Sequence, residues 1–161
     1  MWPHLRAAYN YARWLVRNNH DAEDIVQDSF LKAYKALDTF RGGDARVWML
    51  AIVRRSALDL LRRNKPGREL NWDEKVREPQ DDSPDPEQKL LDQSRGDKLR
   101  QAIARLAPEF REALVLREIE GLSYKEIGGV LNVPIGTVMS RLSRARNLLL
   151  TELAAEKELR Q

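Results

Sequence analysis

No cysteine occurs among the 161 residues of the chain, which excludes a disulfide framework and any cysteine-ligated metal site. Only two histidines are present, His4 and His20, and they stand too far apart in the chain to form a ligand pair. No metal site is therefore expected. No apolar run approaches the roughly 20 residues that a membrane span needs. The opening stretch MWPHLRAAYN has an early proline, a histidine and no apolar core, so no signal peptide is read there. A cytoplasmic protein is the expectation. A nucleophile–base constellation is missing too. The glycine pair in Arg41-Gly42-Gly43-Asp44 lacks the lysine and the spacing of a phosphate-binding loop. Neither an enzyme nor a cofactor is expected.

Charge is abundant. A third of the residues are charged, yet the net charge is only +3, so distribution matters more than the sum. The most informative stretch is Ser123 to Arg146, SYKEIGGVLNVPIGTVMSRLSRAR. Ser123 with Glu126 is a capping box that starts a helix. Ile127, Val130 and Leu131 give that helix one apolar face. Gly128 and Gly129 are poor helix formers, and two small residues there predict another helix passing close by. Asn132 tolerates the left-handed backbone of a sharp turn. Pro134 suits the start of the next helix, where its missing N–H costs nothing. Val138 and Leu142 then face Ile127 and Leu131. Thr137, Met139, Ser140, Ser143, Arg144 and Asn147 are left pointing outward. This is the pattern of a helix-turn-helix, although short helical hairpins are as often plain core as DNA readers. From Pro134 to Leu150 there is no acid, while Arg141, Arg144 and Arg146 are present, which favours DNA.

Along the rest of the chain, three long helices are expected. The first runs over Trp2 to Asn18, with Leu5, Ala8, Tyr9, Ala12, Leu15 and Val16 as its apolar stripe. Asn18-Asn19-His20 breaks it. The second is capped by Asp21, runs to about Thr39, and turns Ile25, Phe30, Leu31, Tyr34 and Leu37 inward. The third extends from about Asp44 to Arg63, and Asn64-Lys65-Pro66-Gly67 stops it. Between Arg41 and Lys65 seven basic residues face only Asp44 and Asp59. Glu69 to Asp92 is acidic and broken by prolines, and reads as a solvated linker that is helical again from Glu87. Short helices follow over Leu99 to Leu106 and from Pro108 to Gly121. The expected fold is all-α, with two small helical domains joined by a flexible acidic linker: 1–64, the linker 65–95, and 96–161 containing the helix-turn-helix. Basic helical ends on both domains suggest two separated contacts with one nucleic acid.

Several segments together carry a family resemblance. They are His20 to Phe30 (HDAEDIVQDSF), Phe40-Arg41-Gly42, Trp48 to Asp59, Leu106 to Arg111 (LAPEFR), Leu116 to Ile127 (LREIEGLSYKEI) and Gly136 to Arg146. In this order and over both domains, the chain resembles a bacterial sigma factor of the extracytoplasmic-function group within the sigma-70 family. The resemblance implies a dissociable subunit of RNA polymerase that directs promoter recognition, promoter melting and transcription initiation. It places Asp24, Gln27, Asp28 and Lys32 against the clamp helices of the β′ subunit of core RNA polymerase, and the second domain at the β flap. It assigns Arg41, Gly42, Gly43 and Asp44 to the loop that captures a flipped base of the −10 element, where extruding a base costs a few kcal/mol. Arg46, Arg54 and Arg55 on the following helix would face the upstream −10 region, and Trp48 is assigned to core packing rather than stacking. In the −35 element it gives base contacts to Met139, Ser140, Ser143 and Arg144, and phosphate or structural contacts to Thr137, Arg141 and Arg146. The acidic linker would thread the polymerase toward the RNA exit path. Promoter DNA and an anti-sigma factor are the further partners implied.

Three residues depart from the family's pattern. Met139 stands where a basic residue is common, Arg55 where asparagine is usual, and Gly128 where alanine is usual. The first helix also begins abruptly, which leaves room for a segment ahead of it. Two other readings are a free-standing helix-turn-helix regulator that works without core polymerase, and a pure interaction protein. The Ala22 to Phe30 motif beside the basic Arg41 to Lys65 segment favours the sigma factor.

Overall fold

In the computed structural model, residues 4–16, 18–64 and 94–159 are described. The acidic linker and its expected helical restart at Glu87 lie outside these residues.

Three helices form the first bundle: α1 (Leu5–Leu15), α2 (Asn19–Lys35) and α3 (Ala45–Asn64). Each packs against the other two. A 3-10 turn over Leu37–Thr39 separates α2 from the glycine loop. The second bundle contains α4 (Ser94–Ala104), α5 (Pro108–Leu114), a π-helical turn (Val115–Ile119), α6 (Tyr124–Leu131) and α7 (Ile135–Leu159). Both α5 and α6 lie against α7.

Local chemistry sets most of the helix ends. Asn18, expected as a breaker, is the N-cap of α2: its side chain accepts from the backbone N–H of Asp21 at 2.7 Å. The cap therefore comes three residues earlier than expected, because asparagine caps as well as aspartate does. At α3 the Asp44 carboxylate accepts from the backbone N–H of Arg46 at 2.9 Å. Pro108 occupies the first turn of α5. Arg111, buried in the second bundle, donates from Nη1 to the carbonyl of Ala104 at 3.0 Å and so ties the end of α4 to α5. Burial lowers its pKa from the usual guanidinium value.

The helix-turn-helix is built as its residues dictate. Ser123 accepts from the Glu126 N–H at 3.1 Å, and Glu126 accepts from the Ser123 N–H at 2.8 Å. Asn132 closes α6 with φ +58. The closest approach at Gly128 is made by the turn's own backbone, and Val138 of α7 follows at ordinary contact distance, 3.8 Å from a Cβ placed there. A Cβ there would stand 2.9 Å from the Val133 carbonyl oxygen, while one on Gly129 would meet nothing. Ser123→Ala removes one half of the capping box, and a loss of about 1 kcal/mol is expected. Thermal unfolding followed by circular dichroism measures it, and an unchanged midpoint would show that the cap contributes nothing.

Two expectations about faces need correction. In α1 the fully buried aromatic is Tyr11, not Tyr9, and Leu5 is exposed. In α2, Ile25 is buried, but Leu31 and Tyr34 are 62% and 71% exposed, and Leu37 in the following 3-10 turn is 49% exposed. The inner face of α2 is made instead by Ala22, Ile25, Val26, Ser29 and Ala33. These mostly small side chains allow a close approach to Ser56 and Ala57 of α3, both buried. Phe30 packs on the core beside them, while Leu31 and Tyr34 are left on the outside. Leu116 and Leu122 are buried on either side of Gly121, which has φ +71.

The buried apolar residues of the two bundles form one continuous cluster. Helix α3 lies against α6, and α1 touches the π-helical turn.

Candidate nucleic-acid and polymerase interfaces

Helix α7 presents the first interface. Val138, Leu142 and Ala145 are buried against the rest of the bundle. One turn apart on the opposite face, Met139, Ser140, Ser143 and Arg144 are exposed. Thr137 and Arg141 are half-buried at its edge. Thr137, Ser140, Arg141 and Arg144 line a shallow groove with Glu109, Phe110 and Gly136, and the Arg144 guanidinium lies over the Phe110 ring at 5.8 Å. That is within cation–π range and steers the guanidinium. Phe110 is a contributor that sequence reasoning did not single out, present there only within the Leu106 to Arg111 motif. Arg146 is held differently, donating to Glu118 at 3.1 Å. This bond raises its pKa. Arg117 donates to the Leu122 carbonyl at 2.9 Å and lies over the Tyr124 ring at 4.8 Å.

A second exposed region begins at the loop ahead of α3. Arg41, Gly42, Gly43 and Asp44 are all exposed. Both glycines have φ +92, and a Cβ on either would meet nothing within 4 Å. Glycine is therefore required by backbone conformation rather than by space. The ring of Phe40 stands 5.0 Å from that of Trp48, which packs on the core. Arg55 is exposed. Arg46 and Arg54 turn elsewhere, toward the second bundle. Arg46 Nη1 donates to the Glu120 carbonyl at 2.8 Å. Arg54 Nε donates to Glu112 Oε1 at 3.1 Å. The Tyr11 hydroxyl donates to the same oxygen at 3.4 Å. Burial raises the Glu112 pKa against the opposing pull of Arg54 and Arg111, and it raises the Tyr11 pKa further above its ordinary value. Sequence inspection had no means of finding Tyr11 and Glu112, since their separation along the chain is 101 residues.

Helix α2 carries the third region. Asp24 and Gln27 are exposed, and Asp28 and Lys32 half-exposed. Lys32 Nζ lies 3.0 Å from Asp28 and 3.2 Å from Asp59 of α3, and donates to Ser56 Oγ at 3.3 Å. Exposed Leu31 and Tyr34 flank this charged row. Among the described residues no group of three or more potential ligands is placed to hold a metal ion, and no helix is long and apolar enough to cross a membrane.

Residues 3–66 match the model of Sigma-70 region 2, and residues 96–149 match that of Sigma-70, region 4. The ECF RNA polymerase sigma-E factor of Salmonella typhimurium is 35% identical over 137 residues, covering 80% of this chain and 72% of that protein. The chain belongs to the extracytoplasmic-function group of sigma-70 factors. Another similar protein is the ECF RNA polymerase sigma factor SigE of Mycolicibacterium smegmatis, 40% identical over 152 residues. That alignment covers 94% of this chain but 59% of SigE, so the chain spans well under two thirds of that relative. Among solved structures, the sigma factor RpoE of Bartonella quintana, in complex with the anti-sigma factor NepR, matches with a TM-score of 0.70 at 28% identity. The match covers 95% of this chain and 93% of RpoE. The glycine loop and α3 therefore fall in region 2, and the helix-turn-helix in region 4.

Proposed function

We propose that this sigma factor binds core RNA polymerase through the Asp24, Gln27, Asp28 and Lys32 face of α2, and reads its promoter through two separated surfaces. The observation that carries the reading is the outer face of α7. Over its first four turns it is free of acid, exposes Met139, Ser140, Ser143 and Arg144, and buries Val138, Leu142 and Ala145 against the bundle. A helix of this kind fits the major groove, with phosphate contacts from its flanks and base contacts from its centre.

Arg144, set over Phe110, reads a guanine of the −35 element, while Met139 supplies an apolar contact such as a thymine methyl offers. Thr137 and Arg141 at the groove edge meet phosphates. Arg146 is a structural residue, paired with Glu118. The Arg41 to Asp44 loop receives the flipped −10 base, where two glycines leave the backbone open, and Arg55 meets the adjoining duplex. The protein works in the cytoplasm beside polymerase, and an anti-sigma factor holds it in reserve. It catalyses no reaction itself.

Run-off transcription with core RNA polymerase on a genomic promoter library tests the reading. Discrete transcripts that depend on this chain are expected, and their start sites give the −10 and −35 sequences. Neither transcripts nor co-elution with core would point to a free-standing regulator. Arg144→Ala is expected to weaken holoenzyme binding by about 1–3 kcal/mol and to relax one −35 position. An equal loss on every DNA sequence would make Arg144 a phosphate contact.

A further inference from the structure

An acid stands beside the recognition helix. Glu109 is exposed, and it lines the same groove as Ser140, Arg141 and Arg144 of α7. It comes from α5, which packs along α7. Several other acids of the second bundle are engaged within the chain. Glu118 pairs with Arg146, Glu126 closes the capping box, and Glu152 and Glu156 both meet Arg105. Among the described residues, no side-chain hydrogen bond or ion pair engages Glu109. Two guanidinium groups share its groove, yet neither is paired with it. Arg144 lies instead over the ring of Phe110, the next residue along α5, at 5.8 Å. A guanidinium seated on an aromatic face keeps its N–H edge for other acceptors. The carboxylate stays unpaired as well.

The backbone that carries Glu109 is fixed. Pro108 opens α5, and the N–H groups of Phe110 and Arg111 donate to the Ala107 carbonyl at 3.0 and 2.9 Å. The buried Arg111 side chain is bonded in turn to the Ala104 carbonyl. An acid in the first turn of a helix is ordinarily explained by the positive helix end. That accounts for the charge, but not for its place among the side chains that face DNA. Phosphates repel a carboxylate there, which weakens binding to DNA of any sequence. Only a hydrogen-bond donor on a base edge offsets this. In the major groove those donors are the amines of cytosine and adenine. Adenine sets its N7 acceptor beside the amine, where it repels the second carboxylate oxygen, whereas cytosine has no acceptor on that edge.

We propose that Glu109 is a specificity-determining residue of the −35 readout. Its carboxylate accepts a hydrogen bond from the N4 amine of a cytosine adjoining the guanine read by Arg144. Phe110 is a positioning residue that holds Arg144 off Glu109, so that each side chain meets its own base. The same carboxylate repels the acceptors that guanine and thymine would present at that position, so it selects by repulsion as well as by attraction. This inference rests on the −35 reading of α7 given above, and the test separates the two.

Holoenzyme assembled from core polymerase and the full-length chain is offered promoter duplexes randomised over the −35 element, and the bound sequences are counted. The unmodified chain is expected to select a guanine and an adjoining cytosine. Glu109→Ala is expected to lower the cytosine preference about tenfold, the scale of one good base contact, and to leave the guanine preference in place. Glu109→Asp keeps the charge in the first turn but withdraws it by one methylene. It is expected to lose most of the cytosine preference with helicity unchanged, which a purely helix-capping role would not do. Glu109→Arg is expected to switch that position from cytosine to guanine. Phe110→Ala lets Arg144 collapse onto Glu109 and is expected to weaken both preferences together. Unchanged base preferences in the alanine and arginine variants overturn the proposal. So does an equal gain by Glu109→Ala on every sequence, which would make the carboxylate only an opponent of phosphates. Failure of the underlying reading shows differently: the unmodified holoenzyme would select no −35 sequence, or Arg144→Ala would leave the guanine preference intact.

Discussion

Leu142→Ala is expected to destabilise the second bundle by about 2–5 kcal/mol and to abolish −35-specific binding. Leu142 is 1% exposed and belongs to the same buried cluster as Ile127, Leu131 and Val138. It thus clamps the recognition helix to α6. Shortening it removes transfer energy and opens a cavity that a two-helix hairpin closes poorly. A loss of that size is a large share of the 5–15 kcal/mol of a typical small domain. Two measurements check it: thermal unfolding by circular dichroism, and footprinting of holoenzyme over the −35 region. Leu142→Met, which keeps the volume, is expected to cost less than about 1.5 kcal/mol and to retain binding. If alanine left both the melting curve and the −35 footprint unchanged, α7 would not depend on this contact for its placement.

Asp28→Arg is the second large effect. It is expected to weaken association with core RNA polymerase by on the order of a hundredfold or more, the scale of a like-charge clash in an interface. The fold should survive. Asp28 pairs with Lys32 at 3.0 Å, but both side chains are more than a third exposed, and pairs of that kind contribute about 0–1 kcal/mol. Lys32 keeps Asp59 as a partner across α3 at 3.2 Å. Exposed Leu31 and Tyr34 lie beside Asp28 in the proposed docking face. Competition against the wild-type chain for core polymerase, with helicity measured alongside, is the check. Undiminished competition would remove Asp28 from the docking surface.

How far the sequence alone reached depends on the range of the interaction. The capping box at Ser123 and Glu126, the left-handed Asn132, Pro108 in a first turn and the outward set on α7 were all legible. Each is decided within four residues of itself, by backbone geometry and one or two side chains. The α2 cap was misplaced for the same local reason, because Asn18 and Asp21 are both good caps. Faces were harder. Ile25 and Phe30 are inside as expected, yet Leu31 and Tyr34 are not, and Ser29 and Ala33 take their place, since a close helix pair selects for small side chains. Periodicity reports which residues share a face but not which face meets a neighbour.

The family, the all-α architecture and the recognition helix were therefore determined by the chain's residues in order, through short-range capping, turn and amphipathic patterns. Tertiary structure decided where the charges ended up. Of the arginines assigned to the −10 region, Arg41 and Arg55 are left at the surface while Arg46 and Arg54 are bonded across to Glu120 and Glu112. The physical reason is that a guanidinium takes the nearest oxygen that folding presents to it, here from residues 58 and 74 positions away. Local patterns carry no record of such a meeting, which exists only once both bundles have folded and closed.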